Sequence, residues 1–176
     1  MNSRDRKTEC ISAFDAIVSC YQARLIRYAA RLTGCNDVAQ DVVQDAFIRM
    51  FRKWDGAFEP SAELQSWLYR VTHNCAVDAV RHRARRSEIE TQHAAEQPES
   101  IDPAVGTVGS EAGCRATAAL NSLSERERQL VVLKVYEEKS YKEISDITGL
   151  SMGNVGYILH HAMRKMAQAI KSGGNL

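Results

Sequence analysis

Ser140 to Met166 reads SYKEISDITGLSMGNVGYILHHAMRKM, and its punctuation decides the fold. Ser140 with Glu143 three residues on is a capping box, so a helix starts there. Ile144 and Ile147 give that helix one apolar side, and Gly149 ends it by accepting a left-handed turn. Ser151 offers a second N-cap, and Val155, Ile158, Leu159 and Ala162 continue at helical spacing. A short helix, a glycine turn and a longer helix make a helix-turn-helix, whose second helix enters the DNA major groove. An ordinary helical hairpin in a bundle would share the same outline.

Just upstream, Ser124 with Glu127 is a second capping box, opening a helix through Leu130, Val131, Leu133 and Val135, and another helix is expected around Cys114 to Asn121. Residues 87–113, SEIETQHAAEQPESIDPAVGTVGSEAG, lack helical periodicity and hold two of the three prolines and three glycines. They read as a flexible acidic linker and a domain boundary. The formal net charge of +1 conceals that pattern. Residues 1–86 hold 14 Lys and Arg against 10 Asp and Glu, residues 87–113 six acids and no base, and residues 114–176 nine bases and six acids. Two basic blocks joined by an acidic strip suit a nucleic-acid binder. The strip would either solubilise the chain or lie in a basic channel in place of nucleic acid.

The front block is helical throughout. From Glu9 to Leu32, the residues Ile11, Phe14, Val18, Tyr21, Leu25, Tyr28 and Leu32 form one amphipathic stripe, with Arg24, Arg27 and Arg31 off it as a solvated edge. Gly34 ends this helix, and Asn36 or Asp37 caps the next. There, Ala39, Val43, Ala46, Phe47, Met50, Phe51 and Trp54 form the buried stripe. Asp37, Gln40, Asp41, Gln44 and Asp45 form an acidic and amide face that also carries Val42 and Ile48. Acids near a helix N-terminus complement its dipole, whereas apolar residues among carboxylates suit a docking surface. Gly56 and Pro60 break the pattern in a loop that carries Phe58.

A third helix is expected from Leu64 to Arg86, buried through Leu68, Val71, Cys75 and Ala79. Another side shows Trp67, Arg70, Asn74, Asp78 and Arg81, and the end collects Arg81, Arg83, Arg85 and Arg86. Rings stack on unpaired bases, amides read base edges and guanidinium groups hold phosphates, so this side suits single-stranded nucleic acid. Cations at a helix C-terminus are favourable by themselves as well. His73, Asp78 and His82 lie five and four residues apart on this helix, a poor match to metal-ligand spacing.

These stretches together resemble the sigma-70 family of bacterial transcription initiation factors, in its extracytoplasmic-function class, from about Ile11 to Ala169. The resemblance implies an all-α fold with two small helical domains: residues 9–86 for polymerase docking and −10 recognition, then linker 87–113, then residues 114–172 for −35 recognition. Asp37 to Trp54, with Asp37, Gln40, Asp41, Gln44 and Asp45, resembles the segment that docks on the polymerase clamp helices. Phe58 to Arg86, with its SWLYRVTHNCAVD core, is similar to the segment that melts the −10 element, and Phe58 and Asn74 would help hold a flipped base. LSERERQLVVLKVYEEKSYKEISDITGLSMGNV resembles the −35 reader, with Ser151, Asn154, Tyr157, His161, Arg164 and Lys165 as its contacts. Two stretches depart from the family. Gln40 and Asp41 stand where an Asp/Glu pair is common, and Gly156, Tyr157 and Ile158 stand where a Lys or Arg is usual. Gly156 would serve close backbone approach to DNA or mark weaker −35 binding.

The partners implied are core RNA polymerase, promoter DNA and a sequestering regulator such as an anti-sigma factor, with no cofactor, no metal and no catalysis. A LuxR-type regulator shares the LSERERQLVVLKV and helix-turn-helix stretch but would carry strands in its front half. A nucleic-acid enzyme would use His73, Asp78 and His82. Five scattered cysteines without a C-x-x-C pair, a polar N-terminus and no long apolar run imply a soluble, cytoplasmic protein with free thiols.

Overall fold

A computed structural model describes residues 3–53, 60–91 and 119–172, with side chains over 11–53, 60–86 and 119–171. Helix α1 spans Ser3–Thr33. It stops at Gly34, whose φ of 69° takes the left-handed turn that a side chain would resist, while its N–H still bonds Ala30 O at 2.9 Å. Helix α2 spans Asn36–Lys53, and helix α3 spans Ala62–Thr91. Ser61, which the sequence reading passed over, caps α3 by accepting from Leu64 N–H at 3.1 Å. At its other end α3 runs through Thr91, into the stretch expected to be linker. Residues 92–113 of that expected linker lie outside the described residues, as do Trp54 and Phe58.

The three helices pack on each other through Leu25, Tyr28 and Ala29 of α1, Val43 and Met50 of α2, and Leu64 and Leu68 of α3, all buried. Each large aliphatic side chain so buried contributes about 1.5–3 kcal/mol before entropy is counted. The expected apolar stripes are largely met, with three exceptions. Ile11 and Phe51 are exposed, and Val42, expected on the outer face of α2, is only 5% exposed and belongs to the core.

The chain resumes as helix at residues 119–121, then forms α4 over Glu125–Val131. Both arms of the Ser124 and Glu127 capping box are formed. A π-helical turn, Val132–Tyr136, follows directly. Helix α5, Tyr141–Thr148, opens on the Ser140 and Glu143 box, again with both arms formed, and ends at Gly149 with φ 72°. Helix α6 spans Met152–Ser172, and Ser151 Oγ accepts from Asn154 N–H at 3.3 Å. Leu130, Leu133, Ile144, Ile147, Val155, Leu159 and Ala162 fill the space between these helices. The two halves also touch: α1 packs on the π turn, and α3 packs on α5.

Candidate nucleic-acid interface

The apolar side of α6 is spent on the core through Val155, Leu159 and Ala162, so helical geometry turns the intervening residues outward. Met152, Asn154, Tyr157, His160 and Arg164 are exposed, Tyr157 to 67%. His161 is half-buried, and its ring lies 4.5 Å from that of Tyr157, centroid to centroid. The first turns of this helix therefore present an amide, an aromatic pair and a thioether. Asn suits adenine edges, and apolar groups suit the thymine methyl.

Ser151, expected to face DNA, is exposed and caps the helix. Lys165 is held at 2.7 Å by Glu127 of α4, a bond that fixes α6 across the first helix of its own domain. Gly156 does not face outward. A Cβ built there would meet the Tyr141 ring of α5 at 3.5 Å, so this glycine lies at a helix–helix contact and not at a bare backbone surface.

On α3, Arg70, Asn74, Asp78, Arg81, Arg83, Arg85 and Arg86 are all exposed. Trp67 is half-buried against the core, with Lys53 Nζ 5.7 Å above its ring. Phe58, expected beside Asn74, lies outside the described residues. The putting together of His73, Asp78 and His82 fails on geometry. His73 is buried and its Nδ1 is 2.8 Å from the Tyr28 hydroxyl, whereas Asp78 and His82 are on the surface. Burial, with the charges of Arg126 and Arg81 added, lowers the His73 pKa to about 4, so it is a neutral core histidine near pH 7.

On α2, Asp37, Gln40, Asp41, Gln44 and Asp45 are all exposed, joined by Ile48 and Arg49. This leaves an acidic and amide surface with one large apolar residue, since Val42 turns inward.

Arg24 and Arg31 correct the expectation of a solvated edge. Arg24 Nε donates to Glu137 Oε2 at 3.2 Å, and the Arg31 guanidinium sits 4.4 Å from the centroid of the Tyr136 ring. The Tyr69 hydroxyl of α3 donates to the same Glu137 oxygen at 2.5 Å, and Lys139 Nζ lies 4.6 Å from the centroid of the Tyr69 ring. None of Tyr69, Glu137 or Lys139 stood out in the sequence. A charged Glu-Glu-Lys between two helices reads as a solvated loop, and only the fold brings a second domain against it.

Models of sigma-70 region 2 and sigma-70 region 4 match residues 17–86 and 115–166. The extracytoplasmic-function sigma factor SigE of Mycolicibacterium smegmatis is 33% identical over 156 residues, 88% of this chain, and this chain spans 60% of that protein. SigW of Bacillus subtilis is 24% identical over 168 residues, 90% of this chain and 89% of its own. The sigma factor RpoE of Bartonella quintana, solved with the anti-sigma factor NepR, superposes with a TM-score of 0.66 at 25% identity, covering 96% of this chain and 98% of that one. CnrH, solved with the cytosolic domain of CnrY, shares the fold with a TM-score of 0.62 at 21% identity, over 95% and 97% of the two chains. The front half holds three helices and, among the described residues, no strand, which disfavours the LuxR-type reading. With both regions in order on one chain that is helical, without strands, among its described residues, this protein belongs to the sigma-70 family, in its extracytoplasmic-function class.

Proposed function

We propose that the chain is an alternative sigma factor, a dissociable subunit that directs core RNA polymerase to promoters carrying its −10 and −35 elements. The observation that carries this reading is the coexistence, on separate exposed surfaces, of the α2 acid and amide face, the α3 amide and arginine side, and the helix-turn-helix. In this reading residues 9–86 form the first working domain, 87–113 the connector and 114–172 the second.

Asp37, Gln40, Asp41, Gln44 and Asp45 dock on the polymerase. Phe58, Trp67 and Asn74 take an unstacked −10 base, with Arg81, Arg83, Arg85 and Arg86 on neighbouring phosphates. Unstacking costs a few kcal/mol, offset by ring stacking and a fitted pocket. Trp67 has only part of its ring open to solvent, so edge contact suits it better than full stacking. Asn154, Tyr157 and His161 read −35 base edges, with Ser151 and Arg164 on the backbone. Lys165 serves chiefly to hold α6 in place through Glu127.

The protein performs no catalysis of its own in this scheme and works in the cytoplasm, where a sequestering anti-sigma partner would restrain it. No helix among the described residues is long and apolar enough to cross a membrane. Run-off transcription with purified core polymerase tests the proposal. Promoter-dependent product is expected, and a gel shift on duplex DNA without polymerase, with no product in the run-off assay, would overturn it.

A further inference from the structure

The outward side of α6 is as informative for what it lacks as for what it shows. The run 152–163, MGNVGYILHHAM, holds no Lys, Arg, Asp or Glu. In the major groove, guanine is read by Arg or Lys on its O6 and N7, and cytosine by Asp or Glu on its N4 amino group. Neither kind of reader stands on the opening turns of this helix, the part that meets base edges in a helix-turn-helix.

The cations nearby are engaged elsewhere or placed for the backbone. Lys165 Nζ is held at 2.7 Å by Glu127, and Lys139 is 5% exposed and bonds Glu143 at 3.1 Å. Lys134 Nζ lies 5.3 Å from the centroid of the Tyr141 ring. Arg164 is exposed, but about 18 Å along the helix axis from Met152 at ~1.5 Å per residue. Lys142 is exposed on α5, the helix that crosses the phosphate backbone in this motif. Arg164 and Lys142 thus suit phosphates, which position a protein without reading sequence.

What the outer side does present fits adenine and thymine. Asn154 is exposed, and its backbone N–H is bonded to the Ser151 cap, so its amide is carried on an anchored turn. An Asn amide pairs with adenine through N6 and N7. Tyr157 is 67% exposed, and its ring packs against that of His161, which is half-buried and steadies it. The pair holds a large apolar edge outward, and the Met152 thioether is exposed beside it; such surfaces meet the thymine methyl group. Residues three apart on a helix rise about 4.5 Å, close to the ~3.4 Å between bases on one strand. Asn154 and Tyr157 therefore fall on neighbouring base pairs. A G·C pair under the Tyr157 ring would lose water from its polar edge and gain no partner, which is costly.

We propose that the −35 element of this protein is an A·T element: Asn154 selects an adenine, Tyr157 selects a thymine through its methyl group, and α6 reads no guanine or cytosine. This inference rests on the proposed function and names the DNA that its upstream reader accepts.

The test combines the full chain with core polymerase and a duplex pool randomised through both promoter elements. DNA held in heparin-resistant complexes is sequenced, and circular dichroism follows the helix content of each variant. The unaltered protein should enrich an upstream element of A·T pairs. In Asn154→Ala, discrimination at one adenine should fall by about 5- to 150-fold, the range of one bidentate base contact. In Tyr157→Arg, a neighbouring thymine should give way to guanine. If that variant loses helix content, Tyr157→Ala replaces it, with loss of the thymine preference as the criterion. A fixed guanine or cytosine in the upstream element, or an A·T element that both folded variants leave unchanged, would overturn the inference.

Deoxyuridine in place of the selected thymine removes only the methyl group. It should weaken the complex several-fold for the unaltered protein and leave it unchanged for Tyr157→Arg. Equal affinity for the two bases in the unaltered protein would overturn the methyl contact. An enriched downstream element with no upstream one would sink this inference alone. Retention of no more DNA than core polymerase holds by itself would overturn the sigma-factor reading, and this inference with it.

Discussion

His73 shows how much one residue's meaning depends on its surroundings. Its Nδ1 and the Tyr28 hydroxyl share a buried hydrogen bond, and burial lowers its pKa from 6.5 to about 4. Protonation is therefore easier in the unfolded chain than in the folded one. Stability from this group is complete above about pH 6.5 and is lost as pH falls from there toward 4. Between pH 7 and 5.5 the loss should be about 1 kcal/mol, read as a lowered urea midpoint. In His73→Gln that slope should flatten, even though the variant starts less stable.

Gly156 is a residue of the opposite kind, a small one with room to grow. It lies inside α6, where glycine costs about 0.5–1 kcal/mol relative to alanine. The Cβ would make an ordinary contact with Tyr141 at 3.5 Å, with no clash. Gly156→Ala should therefore raise stability by about that amount in thermal or urea unfolding. A loss of stability would mean that Tyr141 cannot accept the methyl group.

At the scale of single elements, α2 divides its two sides cleanly. Val43, Ala46 and Met50 hold it to the bundle, while Asp41 and Asp45 touch solvent. Asp41→Lys with Asp45→Lys should leave the urea midpoint within about 0.5 kcal/mol of the parent, since exposed changes seldom cost more. The same change should abolish co-purification with core polymerase. Undiminished association of the folded variant would remove α2 from the docking surface. For α4 and α5, the starts were legible residue by residue, because a capping box is a local device: Ser124 with Glu127 and Ser140 with Glu143 each close within four residues, whereas the helix expected through Val135 gives way to the π turn after Val131. The start of α3 at Ala62 was harder to read, since Ser61 caps it without a partner glutamate three residues on.

At the scale of the whole molecule, the contact between the halves joins a continuous apolar core to ion pairs and cation–ring contacts: Arg24 with Glu137, Arg31 on Tyr136 and Lys139 on Tyr69. Partly exposed pairs such as Arg24 with Glu137 are screened by salt, whereas hydrophobic cores are not weakened by it. Raising sodium chloride from 0.05 to 0.5 M should therefore expand the full chain in small-angle scattering without changing its helix content. Constant dimensions over that range would mean that apolar packing between α3 and α5 carries the contact by itself.

The sequence by itself determined the order of the helices, the two capping boxes, most of the apolar stripes and the family, because these depend on neighbours three or four residues away and on motif order. It also marked the exposed acids of α2, the amide and arginine side of α3 and the outward residues of α6. Only the tertiary structure decided that Val42 belongs to the core, that Gly156 faces Tyr141, that Lys165 is tied to Glu127, and that Arg24 and Tyr69 converge on Glu137. Those facts join residues as many as 113 positions apart, and no periodicity along a chain encodes which distant surface will close over a given side chain.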